Sequence, residues 1–438
     1  MTTRSSPLPA RLKSLLLLSC FLGGIGLMHA ENWPRFRGPS GQGLSTEKRL
    51  PLHWSATSNV VWKVAIPGEG WSSPIVWGKR VFVTTVTDQS TRCRVLCLDR
   101  DSGELIWDRT VFEIVPLRKE SKNSYATPTP VTDGKRVYAV FGDGSMAALD
   151  FKGGVVWTNR EISFYSRHGL GASPVLHDGL LIMPFDGSNR VLKAGIWPNT
   201  SDEERLGWQI PWDKAFIVAV DARTGRRIWT ASRGKSRIAH VTPNIHGTGR
   251  KAELISPAGD VIQGFDLRTG ERLWTAYSQG EGVTPSFAMG EGLVFTASGF
   301  EKTTIRTLRL GGRGDVTSTH VAWEQRRGVP SQPSLLYLAP HLHSVTDGGV
   351  AHCYQAASGE VIYAERVGGN YSASPVAGAG HIYFLSENGE TVVIRQGAEF
   401  SVVARNAIQE KTQASMAVSN GRLFIRTAGN LYCIGSKH

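Results

Sequence analysis

The chain has 438 residues, a formal net charge of +12, 49 Gly and 13 Trp, with 20% charged residues. That length allows two or three ordinary domains or one large repetitive one, and abundant Gly and Trp in an ordinary charge background suit short strands and tight turns. The composition excludes a helical membrane span anywhere after residue 30, because no later stretch is apolar for long enough.

The N-terminus reads as a leader. Arg4, Arg11 and Lys13 precede an apolar stretch from Leu15 to Met28 that is too short and Gly-broken to span a membrane. Cleavage is expected after Ala30, which makes 1–30 a signal peptide and the mature protein exported, to the periplasm or the exterior. Leu17-Leu18-Ser19-Cys20 also fits a lipobox, which would anchor the chain by a lipid on Cys20. The apolar stretch runs on past Cys20, so simple cleavage is the reading adopted. The leader carries three basic residues and no acidic one, so removing it takes the balance from +12 to +9. A positive balance favours anionic partners such as polysaccharide, lipid headgroups or acidic proteins, and export sets nucleic acid aside. The plainer alternative is that the charge only keeps the protein soluble.

Residues 31–58 form an N-terminal extension, and a repeat occupies 59–438. Its mark is Asp, three residues, Gly, three residues, Trp: Asp99–Gly103–Trp107, Asp221–Gly225–Trp229 and Asp266–Gly270–Trp274. Asp150–Gly154–Trp157 is one residue shorter, and Gln355–Gly359–Tyr363 is a worn copy. Before each copy comes Ser or Thr near Pro, then a Gly turn and a β-rich run. The first unit predicts strands at Ser73–Trp77 (A), Arg80–Val86 (B), Arg92–Asp99 (C) and Glu104–Arg109 (D). Asp bonds its own turn, Gly supplies a positive φ, and the Trp packs on the neighbouring unit.

Four-stranded sheets repeated every 40–50 residues or so bury their faces by packing around an axis, as a β-propeller. Outer-strand aromatics at Trp62, Trp107, Trp157, Trp229, Trp274, Trp323, Tyr363 and Phe400 predict an all-β fold of eight four-stranded antiparallel blades, with an insertion of about 189–214 in blade three. The last unit has only three strands. Asn59–Val64 is an outer strand with none before it, so the two termini are expected to complete the last blade and close the ring.

The segments Ala219-Val220-Asp221-Ala222-Arg223-Thr224-Gly225-Arg226-Arg227-Ile228-Trp229 and Gly264-Phe265-Asp266-Leu267-Arg268-Thr269-Gly270-Glu271-Arg272-Leu273-Trp274 resemble the PQQ-like repeat. The likeness covers residues 59–436 or so. The opening Trp33-Pro34-Arg35-Phe36-Arg37-Gly38-Pro39 is similar to the start of exported bacterial propellers labelled BamB-like. The resemblance implies a non-catalytic scaffold of the cell envelope that binds a protein partner or ligand through its loops. A second implication is a quinoprotein dehydrogenase holding PQQ with calcium on the axis. Such enzymes usually show an adjacent Cys-Cys pair, which is missing here, so no cofactor is expected. A third reading is a carbohydrate-binding or carbohydrate-processing accessory.

No nucleophile elbow, zinc-helix or P-loop motif occurs. Cys97, Cys353 and Cys433 share one repeat position that holds Ala148, Ala219 or Gly264 elsewhere, so they read as small buried thiols. His341-Leu342-His343 would put two imidazoles on one face of a strand, but the reading adopted is a loop pair at a blade edge, with no metal. The long connections run from D to A and from B to C on one face, where function usually sits. They are basic, and Arg167, Arg237 and Lys411 each stand a few residues before an inner strand. Trp71, Tyr125, His168, His240 and Tyr371 are expected nearest the axis. Together these eight residues form the candidate site, a positively charged funnel for an anionic ligand, polysaccharide or envelope protein. Trp197, Trp208 and Trp212 in the insertion read as its own small core.

Overall fold

The computed structural model describes residues 1–2, 31–166, 168–187, 215–234, 236–278, 280, 283–299 and 303–436. The leader with Cys20, the insertion with its three Trp, Arg167 and Lys235 lie outside the described residues. Among the described residues, no helix is long and apolar enough to cross a membrane.

Eight antiparallel sheets surround one axis. Blade 1 is built from Ile75–Trp77, Arg80–Thr87, Arg92–Asp99 and Leu105–Glu113, from the innermost strand outward. Strand D runs to Glu113, four residues beyond the expected end. The extension carries Phe112 onto Phe141 of blade 2, edge to face at 6.0 Å. Blades 2 to 7 follow at 131–159, 175–232, 244–277, 288–325, 336–366 and 376–407. Blade 8 takes Ala417–Ser419, Arg422–Arg426 and Asn430–Ile434 from the C-terminal end and Val60–Ala65 from the N-terminal end. Trp62 faces Cys433 and Ala65 faces Asn430 across that seam.

The repeat signature is a lock between neighbouring blades. The Asp221 carboxylate accepts N–H bonds from Arg223 at 2.9 Å and Thr224 at 2.8 Å, which folds the C–D turn. Gly225 then adopts φ +73°, and a Cβ there would come within 2.6 Å of the Trp157 ring of the preceding blade. The Trp157 indole N–H donates to the Ala222 carbonyl, just past the turn Asp, at 2.9 Å. Trp62, Trp107, Trp229 and Trp323 repeat this bond to Arg100, Phe151, Leu267 and Ala356. The residue opposite each Trp is small because the ring lies across it: a Cβ on Gly264 would meet Trp274 at 2.1 Å. Cys97, Cys353 and Cys433 occupy that slot, and they and Cys93 are buried free thiols.

Two junctions depart from the rule. Trp274 donates to Glu253 within its own blade, and the long C–D connection of blade 5 adds Gly314–Asp315 beside the outer strand of blade 4. In blade 7 the outer-strand slot belongs to Ala404 rather than Phe400. Phe400 lies before the strand, against Tyr363 at 5.5 Å. The expected eighth aromatic is instead Trp54, which stacks on Tyr383 and shares a hydrophobic cluster with Ala404.

The N-terminal extension is part of the ring's closure. Trp33 pairs with Val76 of blade 1, Leu44 with Ala377 of blade 7 and Ser55 with Ala407. Between them the chain crosses the axis on the side of the A–B turns. Arg37 is fully buried there and donates to the Gln42 carbonyl at 2.8 Å and the Leu335 carbonyl at 2.5 Å. Burial lowers its pKa to about 9.

At the seam, Glu410 accepts from Lys63 at 2.7 Å, Thr427 at 2.7 Å, Asn430 at 2.8 Å and the Tyr432 hydroxyl. Burial pushes the carboxyl up, but these donors outweigh it and hold the pKa at about 2, against an ordinary 4.5. A depressed carboxylate stabilises the fold above its unfolded pKa and loses that contribution as pH falls through the folded one. Glu410→Gln is therefore expected to lower denaturant stability at neutral pH. The gap to the wild type should narrow between pH 4.5 and 2. A gap independent of pH would show that the charge is not what matters.

Candidate functional site: the axial chamber

Each innermost strand enters through the same short motif, and its hydroxyl residue points to the axis. These are Ser73, Thr129, Ser173, Thr242, Ser286, Ser334, Ser374 and Ser415, one per blade, and all line a single cavity of about 450 Å³. The residues two positions earlier form a second ring: Trp71, Thr127, Gly171, His240, Thr284, Gln332, Ser372 and Gln413. Phe36 of the N-terminal extension lines the same cavity. With the extension crossing the far side, the channel becomes a chamber that opens on the face of the long loops.

The hydroxyl ring also joins the blades. The Ser73 N–H donates to Thr129 Oγ1 at 2.9 Å, Thr129 N–H to Ser173 Oγ at 3.0 Å, and Ser173 N–H to Thr242 Oγ1 at 2.9 Å. The series continues through Ser286, Ser334 and Ser374 to Ser415. At the junction of blades 8 and 1, Arg426 does the joining. Its guanidinium is buried and donates to Ser72 Oγ at 2.6 Å and the Thr84 carbonyl at 2.5 Å. The seven hydroxyl oxygens from Thr129 to Ser415 thus each accept a backbone bond, and the Ser374 hydroxyl donates on to Ser334 Oγ at 2.7 Å.

The mouth is partly roofed. The loop between blades 1 and 2 supplies Glu120, Lys122 and Asn123 to the chamber. Lys122 reaches across to Glu387 in the B–C turn of blade 7 at 2.9 Å. Ser372 bonds both Glu387 and Gln332, the latter at 2.8 Å.

Of the expected site residues, Trp71, His168 and His240 line the chamber. His240 meets His168 edge to face at 6.4 Å and accepts the Gly171 N–H on Nδ1 at 3.2 Å. Burial, with His168 adding to it, lowers the His240 pKa to about 3. Tyr125 and Tyr371 are not at the axis. Tyr125 is buried in the core between blades 1 and 2, with its hydroxyl on Leu117. Tyr371 is 1% exposed and packs edge-on against Phe384. Arg237 is tied to Asp260 in a two-point ion pair, both bonds 2.7 Å, and Lys411 is exposed at the rim.

Four cations of the basic loops are paired from within. The partners are carboxylates of the B–C turns: Asp143 for Arg160, Asp186 for Arg233, Asp260 for Arg237 and Glu387 for Lys122. Among the described residues, much of the funnel's positive charge is therefore paired, and the chamber wall shows mostly carbon surface between its hydroxyls. The two rings went unread in the sequence, although their signal is there: the Ser or Thr of each strand-entry motif, and the residue two before it.

The donor set does not fit calcium with PQQ. Calcium takes six to eight oxygen ligands, carboxylates prominent among them. Here Glu120 is the one carboxylate among the described lining residues. His240 Nδ1 is taken by a backbone N–H, so that nitrogen is not available as a base for a ring hydroxyl.

A search of curated protein sequences returns no match. Residues 52–242 match the family model described as outer membrane protein assembly factor BamB. Among solved structures, BamB from Moraxella catarrhalis superposes with a TM-score of 0.59 and 14% identity, over 86% of this chain and 98% of that one. The computationally designed Ika8 protein gives a TM-score of 0.58 and 9% identity, over 90% of this chain and 99% of that one. A europium-containing methanol dehydrogenase gives 0.44 and 10%, over 83% and 89%. The chain is thus an eight-bladed β-propeller whose residues 52–242 match the BamB family model.

Proposed function

We propose that the protein is an exported, non-catalytic propeller of the cell envelope that binds a protein partner through the loop face. An extended segment of that partner would enter the chamber and present carbonyl groups to the hydroxyl ring. One observation carries the reading: eight repeat hydroxyls converge on the chamber, seven of them oriented by a backbone N–H from the preceding blade. A wall of donors with Trp71 beside it suits a polypeptide backbone and one apolar side chain. The BamB match supports a partner in the envelope, and the pairing of Lys122, Arg233 and Arg237 with carboxylates argues against a purely anionic ligand.

The rival is dehydrogenase activity. Adding PQQ and calcium to the purified protein is expected to leave the quinone absorbance unchanged and to give no reduction of a redox dye with alcohols or sugars. Stoichiometric quinone binding with dye reduction would overturn the proposal.

A further inference from the structure

We infer that blade 6 carries a metal site for a zinc(II)-type ion, formed by His341, His343 and Cys353, at the opposite end of the ring from the chamber. His341 and His343 are two apart on strand B, His341–Val345, so both imidazoles lie on one face. The sequence reading placed this pair in a loop, and the strand is what aligns it. Cys353 sits on strand C directly across from His343. The ligand atoms of the three residues lie within 4.8 Å of one another.

A second observation points to an ion. His343 is fully buried, and its Nε2 has no hydrogen-bond partner. An unpartnered buried polar group costs about 1–3 kcal/mol, so such positions normally hold hydrocarbon. Five of the other blades follow that rule with Phe or Ile in this register position, among them Phe82 and Ile182, while blades 2 and 7 hold Tyr138 and Tyr383, the latter with an unpartnered hydroxyl of its own. Blade 6 alone puts imidazole there, beside a thiol and a second imidazole. The Tyr363 hydroxyl lies 3.3 Å from His343 Nδ1, the kind of supporting contact that orients a ligating histidine.

The chemistry of the set is selective. Two imidazoles and a thiolate suit zinc(II), and hard cations such as magnesium or calcium prefer oxygen. Three protein ligands leave a fourth position for water on the half-exposed His341 side. Burial pushes the Cys353 thiol up to about 12 and the His343 imidazole down to about 3, so both are neutral before binding. The ion takes the thiolate, and the thiol proton leaves to solvent, one per ion bound.

The test uses the mature protein, purified in chelator and titrated with zinc(II) by calorimetry and with cobalt(II) by absorbance. One ion per chain is expected, and cobalt should show a thiolate charge-transfer band. His343→Phe and Cys353→Ala copy residues that other blades already carry at these positions, such as Phe82 and Ala148, so both should fold. Each should lose the cobalt band and weaken zinc binding on the order of 100-fold. In chelator Cys353→Ala should melt close to the wild type, and His343→Phe, relieved of the unpartnered nitrogen, at or above it. A cobalt complex without the thiolate band, or variants that bind as well as the wild type, would overturn the site.

Discussion

Arg233→Met is expected to destabilise the protein by about 3–5 kcal/mol, the cost of breaking a buried ion pair from one side. Both side chains are almost completely enclosed, at 0% and 1% exposure. Arg233 closes on Asp186 through both carboxylate oxygens and also donates to the Ser256 hydroxyl at 2.7 Å and its carbonyl at 3.0 Å. Removing the guanidinium leaves Asp186 buried without a counter-charge. Burial already raises its pKa with Arg233 in place, and losing the guanidinium raises it further and favours the protonated form. A group raised in this way binds its proton more readily in the folded state, so the variant should regain stability as pH falls toward 4 or so. The double variant Arg233→Met with Asp186→Leu should recover much of the loss, because a packed hydrocarbon pair often equals a buried salt bridge. Urea unfolding at pH 7 and pH 5 measures all three. A single variant as stable as the wild type at pH 7 would show that the pair is not load-sharing between blades 3 and 4.

The second large effect is expected at the seam. Trp62→Ala should cost about 3–5 kcal/mol, the usual range for a buried Trp reduced to Ala. The indole covers Gly103 of blade 1 and holds the Arg100 carbonyl at 2.9 Å. Trp229→Ala removes the same lock inside the ring, over Gly270 and Leu267, and should cost about as much. The two should differ in where the protein opens. Val60–Ala65 is the one strand of blade 8 supplied from the other end of the chain, so its loss of anchoring exposes an edge that no neighbouring turn restores. Hydrogen exchange in Trp62→Ala should therefore accelerate first in Asn430–Ile434. In Trp229→Ala those amides should keep their protection. Equal acceleration in both variants would mean that the seam is no weaker than any other junction.

The blades were legible because their signals are local. Asp, Gly and Trp at fixed spacing mark one turn, and that turn sits within nine residues. The blade count followed from that spacing together with the outer-strand aromatics, although Phe400 misses its slot, and the joining of the termini followed from a last unit one strand short. The chamber was legible only in part. Trp71 and His240 stand two residues before the ring hydroxyl and share its side of the strand. Tyr371 stands three before Ser374 and faces the other way, into the core. Tyr125, four before Thr129, belongs to a loop whose path is set by its hydroxyl contact with Leu117. Charge was legible only as a sum. The carboxylates that neutralise Arg233, Arg237 and Lys122 lie 47, 23 and 265 residues away, and no local pattern announces them. The extension was read as a separate segment for the same reason: Arg37 meets Leu335 across 298 positions.

The central claim is that binding occurs at the loop face. A photo-crosslinking residue placed in cells at Trp71, His168 or Lys411 tests it, with Arg226 and Arg268 in the turns of the opposite face as controls. The account predicts a discrete protein adduct from the first three positions and none from the last two. Adducts from Arg226 or Arg268 alone would contradict it.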